Sequence, residues 1–220
     1  MEGRELFVNS LAPMISGAIQ YTIPLTIISF IGGLLLALAT AMMRLSKSRL
    51  IQFPAIIFVS AIRGTPLLVQ LFIIFYGLPN IGVNLDPFLS ATIAFILNVG
   101  AYASEVIRAS ILSIPKGQWE AAYTIGMTRG TALRRIILPQ AARVSVPPLS
   151  NSFISLVKDT SLASLVLVAE LFRKAQEIAA RTYDFLLLYV EAALIYWVIC
   201  FLLSLGQAVL EKRFDRYVAR

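Results

Sequence analysis

The 220 residues are 58% hydrophobic and 14% charged, with a mean hydropathy of +0.80, far from the roughly 25% charge that a soluble domain needs to cover its surface. The net charge of +7 is spread through the gaps between apolar runs rather than gathered on one stripe, which argues against a nucleic-acid partner. No histidine occurs and the single cysteine, Cys200, lies inside an apolar run, which excludes the usual zinc sites, Ser-His-Asp triads, CxxC pairs and internal disulfides.

A membrane helix needs about 20 mainly apolar residues, because every backbone polar group must be satisfied within it. The first such run, residues 15–43, is too long for a secretory h-region and lacks an Ala-x-Ala-like end, so it is expected to stay as an anchor behind a short tail carrying Arg4. Residues 51–78 form the second span and 87–107 the third. The fourth, 139–157, is shorter and more polar, and its Ser145, Ser150, Asn151, Ser152 and Ser155 are residue types that bundles use between helices. Residues 158–184 mix charges of both signs around a short apolar block, and are read as an outer re-entrant or interfacial segment followed by an amphipathic helix. The last span is 189–210. The fold expected is therefore an all-α membrane bundle of about five transmembrane helices, a single domain 1–220 with its core at about 15–210.

Positive charge sets the orientation, because short cytoplasmic loops hold the excess of Lys and Arg. Arg44, Lys47 and Arg49 follow the first span. Lys116, Arg129, Arg134 and Arg135 follow the third, and Lys212, Arg213, Arg216 and Arg220 follow the last. The connection 79–86 has neither Lys nor Arg. The N-terminus is thus expected outside and the C-terminus inside.

The inner connection 117–139 is long against the usual 2–8 residues. Glu120, Ala121 and Ala122 are expected to begin a helix with the acid in its first turn, and Gly126 to end or kink it. A second piece, 131–137, places Leu133, Ile136 and Ile137 opposite Arg134 and Arg135, and Pro139 opens the next span. By physics alone this could be an amphipathic interfacial loop.

The order Glu120-Ala121-Ala122, three residues, Gly126, nine residues, Ile136, one residue, Leu138-Pro139 resembles the signature loop of type I ABC import permeases. Further pieces are similar to the polar amino-acid branch of that family, which includes histidine, glutamine and arginine permeases. They are Arg63-Gly64-Thr65-Pro66-Leu67-Leu68-Val69-Gln70, then Asn98, Ala101-Tyr102, Glu105 and Arg108, then the run from Asn151 through Lys158-Asp159-Thr160-Ser161 to Leu162. The resemblance implies that the loop is a cytoplasmic coupling helix docked on an ATP-binding subunit. It implies a cell-membrane complex of two such ATPases, two permease subunits, identical or related, and an extracytoplasmic solute-binding protein. ATP and Mg would be bound by the partner subunit, since this chain has no GxxxxGK[ST] sequence, so the chain is expected to be a transporter subunit rather than an enzyme. The substrate implied is a polar, possibly basic, amino acid. A secondary transporter and a non-transporting scaffold or receptor subunit are the alternatives.

Polar groups within spans are functional candidates by default. At 1.5 Å per residue in straight helices, Gln70 and Asn98 share a layer near the midplane, and Arg63 and Glu105 share one near the inner face. Gln70 and Asn98 are candidate pathway residues or interhelical glue. Glu105 can pair with Arg108 or Arg63 as a structural or coupling ion pair. Glu191 is expected either to pair with a serine or Arg181, or to favour a cationic substrate side chain. Asn151 joins the pathway set. Lys158 and Asp159 are expected to end the fourth span on the outer side, where they could meet the charged ends of an amino acid, cap a helix or touch the binding protein.

Overall fold

The computed structural model describes residues 3–215, with side chains described to Lys212. Arg216, Arg220 and the side chain of Arg213 lie outside the described residues. All described secondary structure is helical.

Helix α1 runs unbroken from Gly3 to Arg44, 42 residues, with one π turn at Ala18–Thr22. It begins twelve residues earlier than residues 15–43 suggest because tertiary burial extends it. Leu6, Ser10 and Met14 are buried, packed with Leu171 and Ala175 of α7 (Leu171–Thr182) and Leu188 of α8 (Phe185–Asp215). The expected free tail is therefore a packed helical end.

The second span is not one helix. Helices α2 (Arg49–Gly64) and α3 (Leu67–Ile81) meet at 105°, because Pro66 keeps Thr65 extended at φ −120°, ψ 146°. Straight-helix depths for Arg63 and Gln70 are thereby overturned.

Helix α4 (Pro87–Leu112) starts where Asp86 accepts a hydrogen bond from the Leu89 amide at 3.0 Å and Pro87 occupies the first turn. It packs along α1 through small residues. A Cβ on Gly33 would stand 2.5 Å from Val99 Cβ, and one on Gly100 would stand 2.6 Å from Leu36 Cδ2. Such close backbone approach drives helix association where lipid removes most of the hydrophobic incentive. The main core forms around this pair: Leu25, Leu71, Phe95, Leu156 and Val166.

Helix α5 (Lys116–Thr124) is the short arm between α4 and α6 (Arg129–Val166). Helix α6 contains a π turn at Leu133–Ile137, regular helix over Leu138–Asp159 and a 3-10 segment over Thr160–Val166. Leu167 at φ 66° ends it, and α7 follows at a 48° bend. The polar side chains of α6 mostly satisfy their own helix: Ser145 donates to Ala142 O at 2.9 Å and Ser152 to Pro148 O at 2.9 Å. This departs from the expected interhelical serine bonds; back-bonding to the preceding turn is the shorter reach.

Three helices are long and apolar enough to cross a bilayer, and each of the two bent pairs adds one more, giving up to five spans. Large apolar side chains face outward, among them Leu35, 69% exposed, and Leu186, 81% exposed, as a lipid solvent requires.

Candidate functional site: a polar cleft, a charge cluster and a short helical arm

The break between α2 and α3 is held by a side chain. Gln70 is buried, and its Nε2 donates to Ile62 O at 2.8 Å, Thr65 O at 3.1 Å and Thr65 Oγ1 at 2.9 Å. These carbonyls are orphaned by the bend, and in lipid an orphan costs several kcal/mol. Gln70 therefore fastens the corner through its Nε2.

The corner opens a cleft of about 460 Å³ whose polar walls are Thr65 from the break, Asn98 and Tyr102 from α4, and Asn151, Ser155 and Asp159 from α6. Asn98 lies eleven residues into α4, about 16 Å along it and near half of the roughly 30 Å hydrocarbon. Asn151 also accepts from Gln207 Nε2 of α8 at 3.0 Å. Of the five pathway candidates, Asn98, Asn151 and Asp159 come together here. Gln70 and Glu191 do not line this cleft.

Glu191 is buried between α1 and α8, where Ser10 Oγ donates to its Oε2 at 2.6 Å. The serine partner comes from the segment read as a tail, so sequence spacing could not name it. A second buried acid, Glu170, was missed. It accepts from the Phe172 and Arg173 amides at 2.9 and 2.7 Å and from Tyr196 Oη at 2.7 Å, thereby capping α7 and tying it to α8. Its place directly before an amphipathic helix was the available signal.

Lys158 and Asp159 face different spaces: Asp159 lines the polar cleft, while Lys158 lines a groove with Phe172, Tyr189 and Cys200. Helix α6 does not end at these two residues but continues as a 3-10 segment to Val166.

One turn beyond Tyr102, Glu105 collects three guanidiniums. Arg108 Nη2 lies 3.1 Å from Oε2 and Arg63 Nη1 lies 3.8 Å away, while Arg44 from the end of α1 contacts Oε1. Arg63 also sits over the Tyr102 ring, 5.2 Å from its centre. Arg63, Glu105 and Arg108 thus do meet. Arg44 was assigned to a loop, although it closes α1 at the level of this cluster.

Next to the cluster, α5 projects from the bundle. Glu120 is its fifth residue rather than a first-turn acid, because Pro115 precedes the first turn and sets the start at Lys116. Glu120 and Ala121 are exposed while Ala122 is fully buried. Gly126, at φ +78°, ends the arm: its amide donates to Tyr123 O at 2.9 Å and that of Met127 to Ala122 O at 3.0 Å. This pair of bonds is the Schellman closure, which needs a left-handed residue at that position. Thr128 then caps α6, accepting from the Thr131 amide at 3.3 Å. Leu133 packs inward against Ile111, Ile114 and Ile137, while Arg134 and Arg135 are exposed. Between arm and bundle lies a groove of about 840 Å³ walled by Leu45, Trp119, Glu120, Tyr123 and Leu133. Chemically, the molecule holds a neutral-polar cleft with one acid, a positive cluster beside it, and a rigid arm beyond.

Comparison with known proteins fits this arrangement. The chain is 69% identical to the L-cystine transport system permease protein of Bacillus subtilis (strain 168) over 98% of this chain and 93% of that one. It is 36% identical to the arginine transport system permease protein of the same organism, over 91% and 92%. In structure it resembles an amino acid ABC transporter crystallised with histidines, at a TM-score of 0.89, 37% identity, and coverage of 94% and 96%. Residues 30–216 match the family described as the inner membrane component of binding-protein-dependent transport systems, and the chain therefore belongs to that family, as a permease subunit of an ABC importer.

Proposed function

We propose that this chain carries amino acids across the cell membrane, L-cystine first among them, through the cleft between the α2–α3 corner, α4 and α6. The observation that carries the reading is that cleft: two neutral amides and one carboxylate, Asn98, Asn151 and Asp159, gathered on facing walls of α4 and α6. Neutral dipoles replace water around a zwitterion without holding it too tightly, and Asp159 complements an ammonium group. The 69% identity to an L-cystine permease supports the substrate.

Coupling is assigned to the arm. Glu120, Ala121, Ala122 and Gly126 form a short helix with a locked end, Leu133 roots it in the bundle, and Arg134 adds an exposed charge beside it. In this reading the arm seats on one of two ATP-binding subunits, which bind ATP and Mg, and passes their closure to the cleft. A second permease subunit completes the passage and an extracytoplasmic binding protein delivers substrate. The arm then lies in the cytoplasm, the connection 82–86 outside, the N-terminus outside and the C-terminus inside, in agreement with the Lys and Arg distribution. Secondary transport and a scaffold role gain no support from these relatives.

The test is ATP-driven uptake by the full complex in proteoliposomes. Asp159→Asn removes a charge-assisted hydrogen bond and is expected to cut L-cystine uptake by about tenfold. Undiminished uptake in that variant would remove the cleft from the pathway.

A further inference from the structure

The charge cluster is one-sided. Three guanidiniums, Arg44, Arg63 and Arg108, converge on the single carboxylate of Glu105, which leaves two positive charges unbalanced within it. All four side chains keep partial exposure, Arg63 the most at 44% and Arg44 the least at 20%. A like-charge excess beside apolar helices is costly unless an anion visits it.

Its position names the visitor. Tyr102 is a wall of the polar cleft, and the Arg63 guanidinium lies over that same ring. Arg63 also lies in the last turn of α2, next to Gly64 and the Thr65-Pro66 corner, whose residues form another wall. Asp159 supplies the acid of the cleft, while Glu105 and its guanidiniums stand one helical turn, about 4.5 Å of rise, past Tyr102. On the far side Arg44 leads directly into Leu45, Ser46 and Lys47, which wall the groove under the arm. An amino acid that leaves the cleft toward the arm therefore meets Arg63 first.

We propose that Arg63, backed by Arg44 and Arg108, is the exit station for the substrate's carboxylate: the cleft takes the ammonium end at Asp159, and the guanidinium draws the carboxylate toward the cytoplasm. Glu105 plays a limiting part. By neutralising one of three charges, it keeps the station weak enough for release. This rests on the function proposed above, with the residue and the charged group now specified.

The experiment uses the assembled complex of permease and ATP-binding subunits in detergent, nucleotide-free and without binding protein. The probes are radiolabelled L-cystine, L-glutamine and L-arginine, each beside its carboxamide (for L-cystine the dicarboxamide), which lacks every carboxylate charge. For the amino acid that the wild-type complex accumulates in proteoliposomes, the carboxamide is expected to bind about tenfold more weakly. Arg63→Gln should weaken the free acid by a similar factor and leave the carboxamide unchanged, while Arg63→Lys should restore most of the affinity. Glu105→Gln should bind the acid more tightly yet turn over more slowly. Equal affinity of acid and carboxamide in the wild type overturns the exit station, and needs no variant to fold. Equal loss of both ligands in Arg63→Gln also overturns it, by reducing Arg63 to a structural role. Accumulation of none of the three amino acids would instead overturn the transport reading itself.

Discussion

Gly126 holds φ at +78° with nothing within 4 Å of where a Cβ would stand, so a side chain there meets no clash and only the backbone resists. Alanine in the left-handed region costs about 1 kcal/mol, and a β-branched residue more. Gly126→Ala should therefore lower the thermal midpoint of the purified chain only slightly, whereas Gly126→Val should unlock the end of the arm. Gln70 presents the opposite case, a side chain that acts through the bonds of its Nε2. Gln70→Leu keeps the volume and strips the carbonyls of Ile62 and Thr65 of their amide donor; because it also removes the Gln70 Oε1 that is buried without a partner, the net cost is expected to be about 1 kcal/mol. Denaturation in detergent checks this, and an unchanged midpoint would show that the corner does not depend on its side-chain staple.

Between elements, the tightest constraint is the α1–α4 seam. A Cβ on Gly33 would stand 2.5 Å from Val99, which belongs to the same core as Phe95 and Ala94. Gly33→Val is expected to destabilise by about 1–3 kcal/mol or more through overpacking, whereas Gly206→Ala on α8, with open space around it, should be neutral or slightly stabilising. Equal thermal shifts in the two variants would contradict the packing account. This seam also marks what was legible in the sequence. Apolar run length located the helices, because the demand to satisfy backbone in lipid acts locally. The glycine that closes α5 was legible because a left-handed helix end is also a local backbone requirement. Partners were not. The Thr65-Pro66 corner carried a local signal, the run Arg63-Gly64-Thr65-Pro66, that the length of the flanking apolar stretches outweighed, while the start of α1 was hidden by its dependence on α7 and α8. Only the start of α1 is decided by neighbours distant in sequence. The cleft was therefore half visible: Asn98, Asn151 and Asp159 were singled out and line one cleft, but the same reasoning also singled out Gln70 and Glu191, whose contacts lie at a corner and between two helices.

For the whole molecule, the account ties three regions into one line: cleft, cluster, arm. Its topology can be checked in a Cys200→Ser background, where Asn84→Cys should react with an impermeant maleimide from outside and Gly117→Cys only from the cytoplasmic side; the reverse labelling would invert the orientation. The central claim is that the arm transmits the work of an ATPase to the cleft. The measurement that tests it most directly compares substrate-stimulated ATP hydrolysis and L-cystine accumulation in the same proteoliposomes, for the wild type and for Gly126→Val in an intact complex. The account predicts that both activities fall together while ligand binding at the cleft persists. Normal uptake with a disordered arm, or uptake that continues without ATP and follows a proton gradient, would contradict it.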